Sequence, residues 1–302
     1  MIRGFIDFNT LDSKQSFTST TLESGVTLPG LRLEIDADKV RSFARGQQAV
    51  IIIGDPRVRD ASLAQRIKQD GWSAALPSLC DAPDTFLKQV SGRFAFLWMD
   101  LAKGRLGLAS DRFNTNGFCY AQEGSRLSFA DRANAVPALN RELDKQAIFD
   151  YLYFHVIPAP GTIFENILRL EPGSRLVADR RHVDASPWWR AHFEEPADAD
   201  FEACASNFRQ LIKNAVERDL DGSRVGAFLS GGTDSSTVVG MLSQSGSPVT
   251  AYSIGFEAEG YDEMEFARIA AKHFGVKHQP YYITSDDLAA HIPAVAASYD
   301  QP

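Results

Sequence analysis

The sequence predicts two domains of different fold class: an α+β layered domain dominated by antiparallel strands, followed by an α/β domain with a doubly wound parallel sheet. Three observations predict this division. The chain has 302 residues, about two domains at roughly 100–200 residues each. Short strand-like runs broken by turns fill the first part, and helices alternate with strands after residue 200. We therefore assign residues 1–193 to the first domain, 194–200 to a polar linker and 201–302 to the second.

Antiparallel hairpins organise the predicted first domain. The apolar run Arg93–Met99 leads through a turn at Lys103-Gly104 to Arg105–Ala109, a pattern typical of a β-hairpin. A second hairpin is predicted around Glu123-Gly124. The apolar run Ala49–Ile53 predicts a strand, which we expect to end in a turn at the following Gly-Asp-Pro. Helices are predicted at 62–69, 84–90 and 144–154.

Regular alternation of helix and strand marks the predicted second domain. Asp200 is the expected N-cap of a helix whose apolar face runs from Phe201 to Val216. Gly275 is expected to close a later helix, and Thr284-x-x-Asp287 resembles a capping box that opens the last one. Predicted strands are 225–229, 249–256 and 279–283, and the helices between them are 235–243 and 263–274. This order implies parallel strands joined by right-handed crossovers.

Composition and charge exclude several classes of protein. Apolar residues make up 44% and charged residues 23% of the chain, which is typical of a globular rather than a disordered protein. Acidic residues number 39 against 31 basic ones, a net charge of −8, which disfavours a general nucleic-acid binder. No apolar run approaches the roughly 20 residues of a membrane span, and the first residues lack a signal-peptide pattern. We expect a cytoplasmic protein without a nucleic-acid or membrane partner.

The cysteine and histidine positions form no metal or disulfide pattern. Cys80, Cys119 and Cys204 are isolated and odd in number, so we expect reduced thiols rather than a disulfide framework or a zinc site. His273 and His278 flank Gly275, where a helix is predicted to end, and we expect both on the surface.

The most informative segment, 228–237, lies between a predicted buried strand and a helix start and reads Phe-Leu-Ser-Gly-Gly-Thr-Asp-Ser-Ser-Thr. Gly231 and Gly232 allow a tight turn that brings backbone N–H groups to an anion, which the helix dipole also favours. Further donors are the hydroxyls of Ser230, Ser235 and Ser236. Asp234 would repel a phosphate, so it suits a magnesium ligand or a helix N-cap. A plain strand-to-helix turn without a ligand is the alternative.

Ser-Gly-Gly-x-Asp-Ser after a strand resembles the PP-loop of ATP pyrophosphatases, which cleave ATP between the α- and β-phosphates. The segments 251–257, 260–263 and 299–302 extend the likeness to the asparagine synthetase family. At Asp300-Gln301-Pro302, members of that family usually carry Asp-Glu-Pro instead. The resemblance implies a truncated PP-loop ATP-pyrophosphatase domain that uses ATP and Mg²⁺, with Asp234 as the metal ligand.

The same resemblance implies roles for two apolar residues, because family members line the adenine pocket at the matching positions. These are Phe228 and Ile254, although packing in the core explains Ile254 equally well. The implied ATP-binding residues are Phe228, Ser230, Gly231, Gly232, Thr233, Asp234, Ser235, Ser236 and Ile254.

The first part of the chain is similar to the glutaminase domain of the same family, which has an N-terminal nucleophile (Ntn) fold. The matching segments, in order, are 91–96, 109–113, 119–120, 128–130, 154–176 and 188–189. The residues that family members use for glutamine hydrolysis are missing. A cysteine should follow Met1, where this chain has Ile2 and Arg3; the family's Asn-Gly-Glu falls near Gly54-Asp55-Pro56; and Ser91 replaces an aspartate. We therefore expect an inactive glutaminase-like domain and assign no catalytic residue in the chain.

The resemblance implies a synthetase that adenylates a carboxylate, releases pyrophosphate and joins the carboxylate to an amine. Relatives with a degenerate glutaminase domain resemble β-lactam synthetases and lasso-peptide macrolactam synthetases, and Gly54-Asp55-Pro56 favours the latter. The expected partner is then a small-molecule or peptide carboxylate such as a precursor peptide. The alternatives are an asparagine synthetase that uses ammonia or glutamine, and a non-catalytic fragment or binding module.

The predicted second domain stops after three strands, whereas family members continue well past the matching point. We expect either a fragment or a protein whose ATP domain a second chain completes. Activity of these 302 residues alone therefore stays open.

Overall fold

In the computed structural model, the described residues are 1–18, 22, 25–36, 40–195, 200–220, 222–246, 248–256 and 262–301. They form two compact units: unit 1 comprises Met1–His192 with Tyr299–Pro302, and unit 2 comprises Phe193–Ser298. The predicted domain ranges stay a prediction. Residues 299–302 group with unit 1, whereas the sequence assigned them to the second domain. The structure describes 200 of the predicted linker but not 196–199.

Unit 1 is built on two antiparallel sheets of six strands each. The strands are β1 (Ile2–Asp7), β2 (Gly25–Leu28), β3 (Leu31–Ile35), β4 (Val40–Arg45), β5 (Gln48–Val58), β6 (Val90–Asp100), β7 (Arg105–Ser110), β8 (Cys119–Glu123), β9 (Arg126–Ala130), β10 (Leu168–Arg169), β11 (Ser174–Ala178) and β12 (Val183–Pro187). The orders are β10-β8-β9-β1-β3-β2 and β12-β11-β7-β6-β5-β4. Both predicted hairpins are confirmed, since Asp100 pairs with Arg105 and Glu123 with Arg126.

The main core of unit 1 draws its residues from both sheets. Ile6 and Leu33 of the first sheet belong to one buried cluster with Ile51 and Leu97 of the second. A second buried cluster joins Phe96 of β6 to residues of the nearby helices. The helices of unit 1 are α1 (Ala61–Asp70), α2 (Leu76–Asp81), α3 (Pro83–Lys88) and α4 (Lys145–Phe154), with short 3₁₀ turns at 71–75 and 133–135. The second sheet is therefore packed on two faces.

The predicted helices at 62–69 and 144–154 are confirmed, and Asp144 caps α4 by accepting from the N–H groups of Gln146 and Ala147. The helix predicted to reach Val90 ends at Lys88, because Val90 already belongs to β6.

The turn predicted at Gly54-Asp55-Pro56 is wrong, because β5 continues through it to Val58. Gly54 has φ +83° and pairs with Phe94, and Pro56 pairs with Gly92. Proline is tolerated here because the other neighbour, β4, stops pairing at Ile53, so β5 is an edge strand beyond that point.

Unit 2 contains a parallel sheet of three strands, β13 (Val225–Phe228), β14 (Val249–Phe256) and β15 (Lys277–Ile283). Its helices are α5 (Phe201–Arg218), α6 (Thr233–Ser243), α7 (Met264–Phe274) and α8 (Ser285–Ser298). The predicted caps are confirmed: Asp200 accepts from the N–H of Ala203, and Gly275 ends α7 in the left-handed conformation. Thr284 and Asp287 hold each other's backbone N–H groups as a capping box requires.

The doubly wound organisation does not occur in the described strands of unit 2, which follow the sequence order β13-β14-β15. Right-handed crossovers between successive neighbours put their helices on one face, because no strand order reverses. Residues of α6 and α7 share a buried cluster with Leu229 and Ala251. The opposite face, which we call the uncovered face, carries side chains that are 41–80% exposed. They are Phe228, Tyr252, Ile254, Phe256 and Tyr281.

Among the described residues, the helices are too short or too polar for any of them to cross a lipid bilayer.

Candidate functional site

The candidate phosphate loop, Ser230–Ser236, leaves the carboxyl end of β13 and enters α6. Gly231 has φ +90°, and a Cβ there would lie 2.5 Å from Cβ of Phe266 and 2.6 Å from the backbone nitrogen of Ala267. Glycine is required at this position for two independent reasons, the positive φ and the close approach of α7. The loop is thus held tightly against the start of a neighbouring helix.

Hydroxyl groups organise the loop from within. Ser235 Oγ accepts from the backbone N–H of Ser230 at 3.2 Å and lies 3.1 Å from Ser230 Oγ. Ser230 Oγ in turn accepts from the N–H of Gly232 at 3.3 Å. Because both hydroxyls bind the loop's own backbone, the turn holds its shape without a ligand.

Several donors at the start of α6 point to an anion. The N-cap is Gly232, which has no side-chain acceptor, so Asp234 is not the N-cap that the sequence left open. Within the described ranges, no acceptor is recorded for the N–H groups of Thr233 and Asp234. Ser236 Oγ is also buried without a hydrogen-bond partner. Unpaired donors at a helix N-terminus are suited to phosphate oxygens.

Asp234 lies exposed in the first turn of α6. It belongs to no cluster of three or more acidic, histidine or cysteine side chains in the described part of the chain. A Mg²⁺ ion here would need most of its oxygen ligands from water and from a bound nucleotide, as is usual for this ion.

Phe228 and Ile254, the two residues implied for an adenine pocket, lie on neighbouring strands and on the same uncovered face. Phe228 pairs with Tyr252, and Ile254 is two residues further along β14. Phe228 is 80% exposed and Ile254 is 52% exposed. The core-packing alternative for Ile254 is therefore wrong, since neither side chain belongs to a buried cluster. Both are free to contact a planar apolar group beside the loop.

A histidine behind the loop was not foreseen. His278 was expected on the surface, but its ring is half-buried, with Nε2 2.8 Å from the hydroxyl of Ser253. The sequence signal that could have identified it is the alternation of β15, because His278 pairs with buried Ala251 and so faces α6 and α7.

The glutaminase-like positions of unit 1 carry no nucleophile. Ile2 is fully buried at the start of β1, and Arg3 is paired with Glu34 at 2.6 Å. Asp55 lies 3.5 Å from Arg57, and Ser91 Oγ donates to the backbone oxygen of that arginine at 3.2 Å. The structure thus brings two of the substituted positions together on β5 and β6, where they bind protein groups.

The cysteines of unit 1 are unreactive by environment. Cys80 and Cys119 are buried in separate apolar clusters. Burial raises the pKa of each thiol to about 12, and a thiolate is the form that attacks a carbonyl. Cys204 is exposed on α5 in unit 2.

Comparison with known proteins agrees with this division. Residues 207–302 match the family model of asparagine synthase, and residues 76–189 match that of a glutamine amidotransferase domain. The chain belongs to the asparagine synthetase family.

Two relatives in that family illustrate the match. A Methanocaldococcus jannaschii protein, provisionally named asparagine synthetase [glutamine-hydrolyzing] 2, is 31% identical over 72% of this chain and 44% of its own length. Asparagine synthetase [glutamine-hydrolyzing] 1 of Bacillus subtilis is 27% identical over 71% of this chain and 34% of its own. The chain thus spans less than half the length of these synthetases.

Among solved structures, a glutamine phosphoribosylpyrophosphate amidotransferase from B. subtilis superposes with a TM-score of 0.36 and 12% identity. The superposition covers 92% of this chain and 59% of that one.

Proposed function

We propose that the loop Ser230–Ser236 binds the phosphates of ATP and that the protein uses ATP to form an amide bond. The observation that carries this proposal is the set of unpaired donors at the start of α6, including the buried hydroxyl of Ser236. A plain turn would leave these groups unsatisfied, at a cost that a phosphate would remove. Membership in the asparagine synthetase family supports the same ligand.

Each residue of the proposed site has a distinct task. The N–H groups of Thr233 and Asp234 would hold phosphate oxygens, and Ser235 would keep the loop in shape. Phe228 and Ile254 would pack against the adenine. Asp234 would hold Mg²⁺ together with water and phosphate oxygens. When bound, ATP supplies activation: a carboxylate oxygen takes the adenylyl group as pyrophosphate leaves, and an amine nitrogen then displaces AMP from the acyl carbon.

We further propose that the amine does not come from glutamine. Ile2 and Arg3 supply no nucleophile, and the thiols of Cys80 and Cys119 are held protonated at neutral pH. Incubation of the purified full chain with glutamine should therefore release no glutamate. Release at a rate that scales with protein concentration would refute this part of the proposal.

For the substrate, we propose a peptide or small molecule that carries both carboxylate and amine, so that the product is a lactam, as in lasso-peptide macrolactam formation. The likeness of Gly54-Asp55-Pro56 to that subgroup supports it. Conversion of aspartate to asparagine with ammonia is the second candidate, favoured by the names of the two synthetases above.

The uncovered face supports a protein partner. Five exposed apolar or aromatic side chains lie together on one sheet face, and such patches mark contact surfaces. We propose that a further polypeptide segment, on this or a second chain, covers the part of this face that ATP leaves free.

Pyrophosphate release tests the reaction. The full chain, alone and mixed with a candidate completing polypeptide, is incubated with ATP and Mg²⁺ plus either a precursor peptide or aspartate with ammonia. Pyrophosphate and AMP in equal amounts with the peptide support the macrolactam proposal, and asparagine formation supports the second candidate. ATP bound without turnover under any condition leaves the protein as a nucleotide-binding module.

A further inference from the structure

Three hydrogen-bonded residues cross the sheet of unit 2 behind the phosphate loop. Ser253, on β14, is 4% exposed, and its hydroxyl donates to the backbone oxygen of Leu229 at 2.5 Å. His278, on β15, has Nε2 2.8 Å from the same hydroxyl. Leu229 directly precedes the loop, and its N–H donates to the backbone oxygen of Tyr252 at 2.8 Å. The line of contacts runs from β15 through β14 to the end of β13.

The direction of each hydrogen bond follows from the number of protons. A hydroxyl has one proton, and a backbone oxygen can only accept, so the proton of Ser253 goes to Leu229. His278 must then donate from Nε2 to Ser253 Oγ, which assigns the Nε2–H tautomer. Burial, and then the charge of Arg268, lower the pKa of His278, which is consistent with a neutral ring.

These contacts hold one particular peptide plane. The oxygen of Leu229 and the N–H of Ser230 belong to the same planar peptide unit. Ser253 binds the oxygen at 2.5 Å, and Ser235 Oγ accepts from the N–H at 3.2 Å. The first peptide of the loop is therefore held at both ends, once by the sheet and once by the loop.

We propose that Ser253 and His278 are positioning residues that set the orientation of the phosphate loop and thereby its affinity for the phosphates of ATP. Neither side chain reaches the ligand in this role. His278 keeps the hydroxyl of Ser253 aimed at Leu229, and Ser253 keeps the Leu229–Ser230 peptide aligned with the donors of α6. The ligand in this inference rests on the proposed function, whereas the effect on the loop does not.

The test compares His278→Leu, which removes the donor at similar volume, with His278→Gln, which keeps an N–H donor at similar reach. His273→Leu is the matched control, because His273 is an exposed histidine at the end of α7. Amide hydrogen exchange of residues 231–235 is measured on the full chain, together with affinity for ATP and for adenosine.

We expect His278→Leu and Ser253→Ala to speed exchange at these amides by about five- to tenfold, the equivalent of one lost hydrogen bond. ATP affinity should fall by a similar factor while adenosine affinity stays unchanged, because adenosine lacks the phosphates. His278→Gln and His273→Leu should behave like the wild type. The double variant should be no worse than Ser253→Ala alone, since both residues act through one contact.

Unchanged exchange at 231–235 in Ser253→Ala would overturn the inference, and this variant decides even if His278→Leu fails to fold. Equal loss of ATP and adenosine affinity would also overturn it, since that indicates general damage. If the wild type binds no ATP but exchange still rises in both variants, the positioning role stands and the proposed function fails.

Discussion

The hydroxyl oxygens of Ser230 and Ser235 lie 3.1 Å apart, although the whole phosphate loop separates them. Ser235 also accepts from the N–H of Ser230 and donates to the oxygen of Gly232 at 3.3 Å. One side chain on the first turn of α6 therefore closes the loop back onto its own entry. This closure is what keeps the donors of the loop together before any ligand binds.

Ser235→Ala should weaken ATP binding by about tenfold, because it removes three contacts within the loop, each worth roughly 1 kcal/mol at most in net terms. Isothermal titration with ATP measures the effect. Ser245→Ala is the matched control: its hydroxyl donates to Leu242 at 2.7 Å near the other end of α6. Equal affinities for the wild type and Ser235→Ala would show that Ser235 does not maintain the binding loop.

Phe228→Ala should lower ATP affinity by about fivefold or more while leaving the melting temperature nearly unchanged. The side chain is 80% exposed, so its removal leaves no cavity, whereas loss of stacking on adenine costs roughly 1 kcal/mol. Phe256→Ala, on the same face but further along β14, should leave ATP affinity intact. A comparable loss in both variants would argue against an adenine pocket at Phe228.

Much of the local structure could be predicted because its causes are local. The capping box at Thr284, the N-cap Asp200 and the left-handed Gly275 depend on neighbours in the chain. The course of β5 through Pro56 could not be predicted, because it depends on where the distant strand β4 stops pairing.

The same distinction applies to the site. The Gly-Gly turn and its serines are readable from the sequence, since loop, strand and helix are contiguous. The role of His278 is not, because it depends on parallel pairing of strands that lie far apart in the chain. Helix and strand alternation likewise predicts parallel strands but not their order, so the doubly wound sheet was not recoverable from it.

Thiol labelling should modify Cys204 alone in the folded chain. Burial raises the pKa of Cys80 and Cys119 to about 12, so about one thiol in ten thousand is ionised at pH 8. Mass spectrometry after reaction with iodoacetamide should find one modified site in the native protein and three after denaturation. Cys204→Ser should abolish native labelling. Rapid modification of Cys80 or Cys119 would contradict the inert environment on which the absence of glutaminase chemistry rests.

The start of α8 should lose order in acid. Hydrogen bonds from the backbone N–H and the hydroxyl of Thr284 hold the pKa of Asp287 below its usual value. The capping contribution of a carboxylate with a lowered pKa is present above the unfolded pKa of about 3.9 and is lost as pH falls through the folded value. An NMR pH titration of the amides at 284–288 measures this. Asp287→Asn should remove the transition, and Asp286→Asn should preserve it.

Titration calorimetry of the full chain with ATP and Mg²⁺ tests the central claim most directly. We predict saturable binding of one ATP per chain, which Gly231→Ala abolishes and Gly246→Ala leaves intact. Gly246 has φ +78° with no atom within 4 Å of a built Cβ, so it controls for backbone strain without the clash against Phe266. Failure of the folded wild-type chain to bind ATP at millimolar concentration would contradict the account.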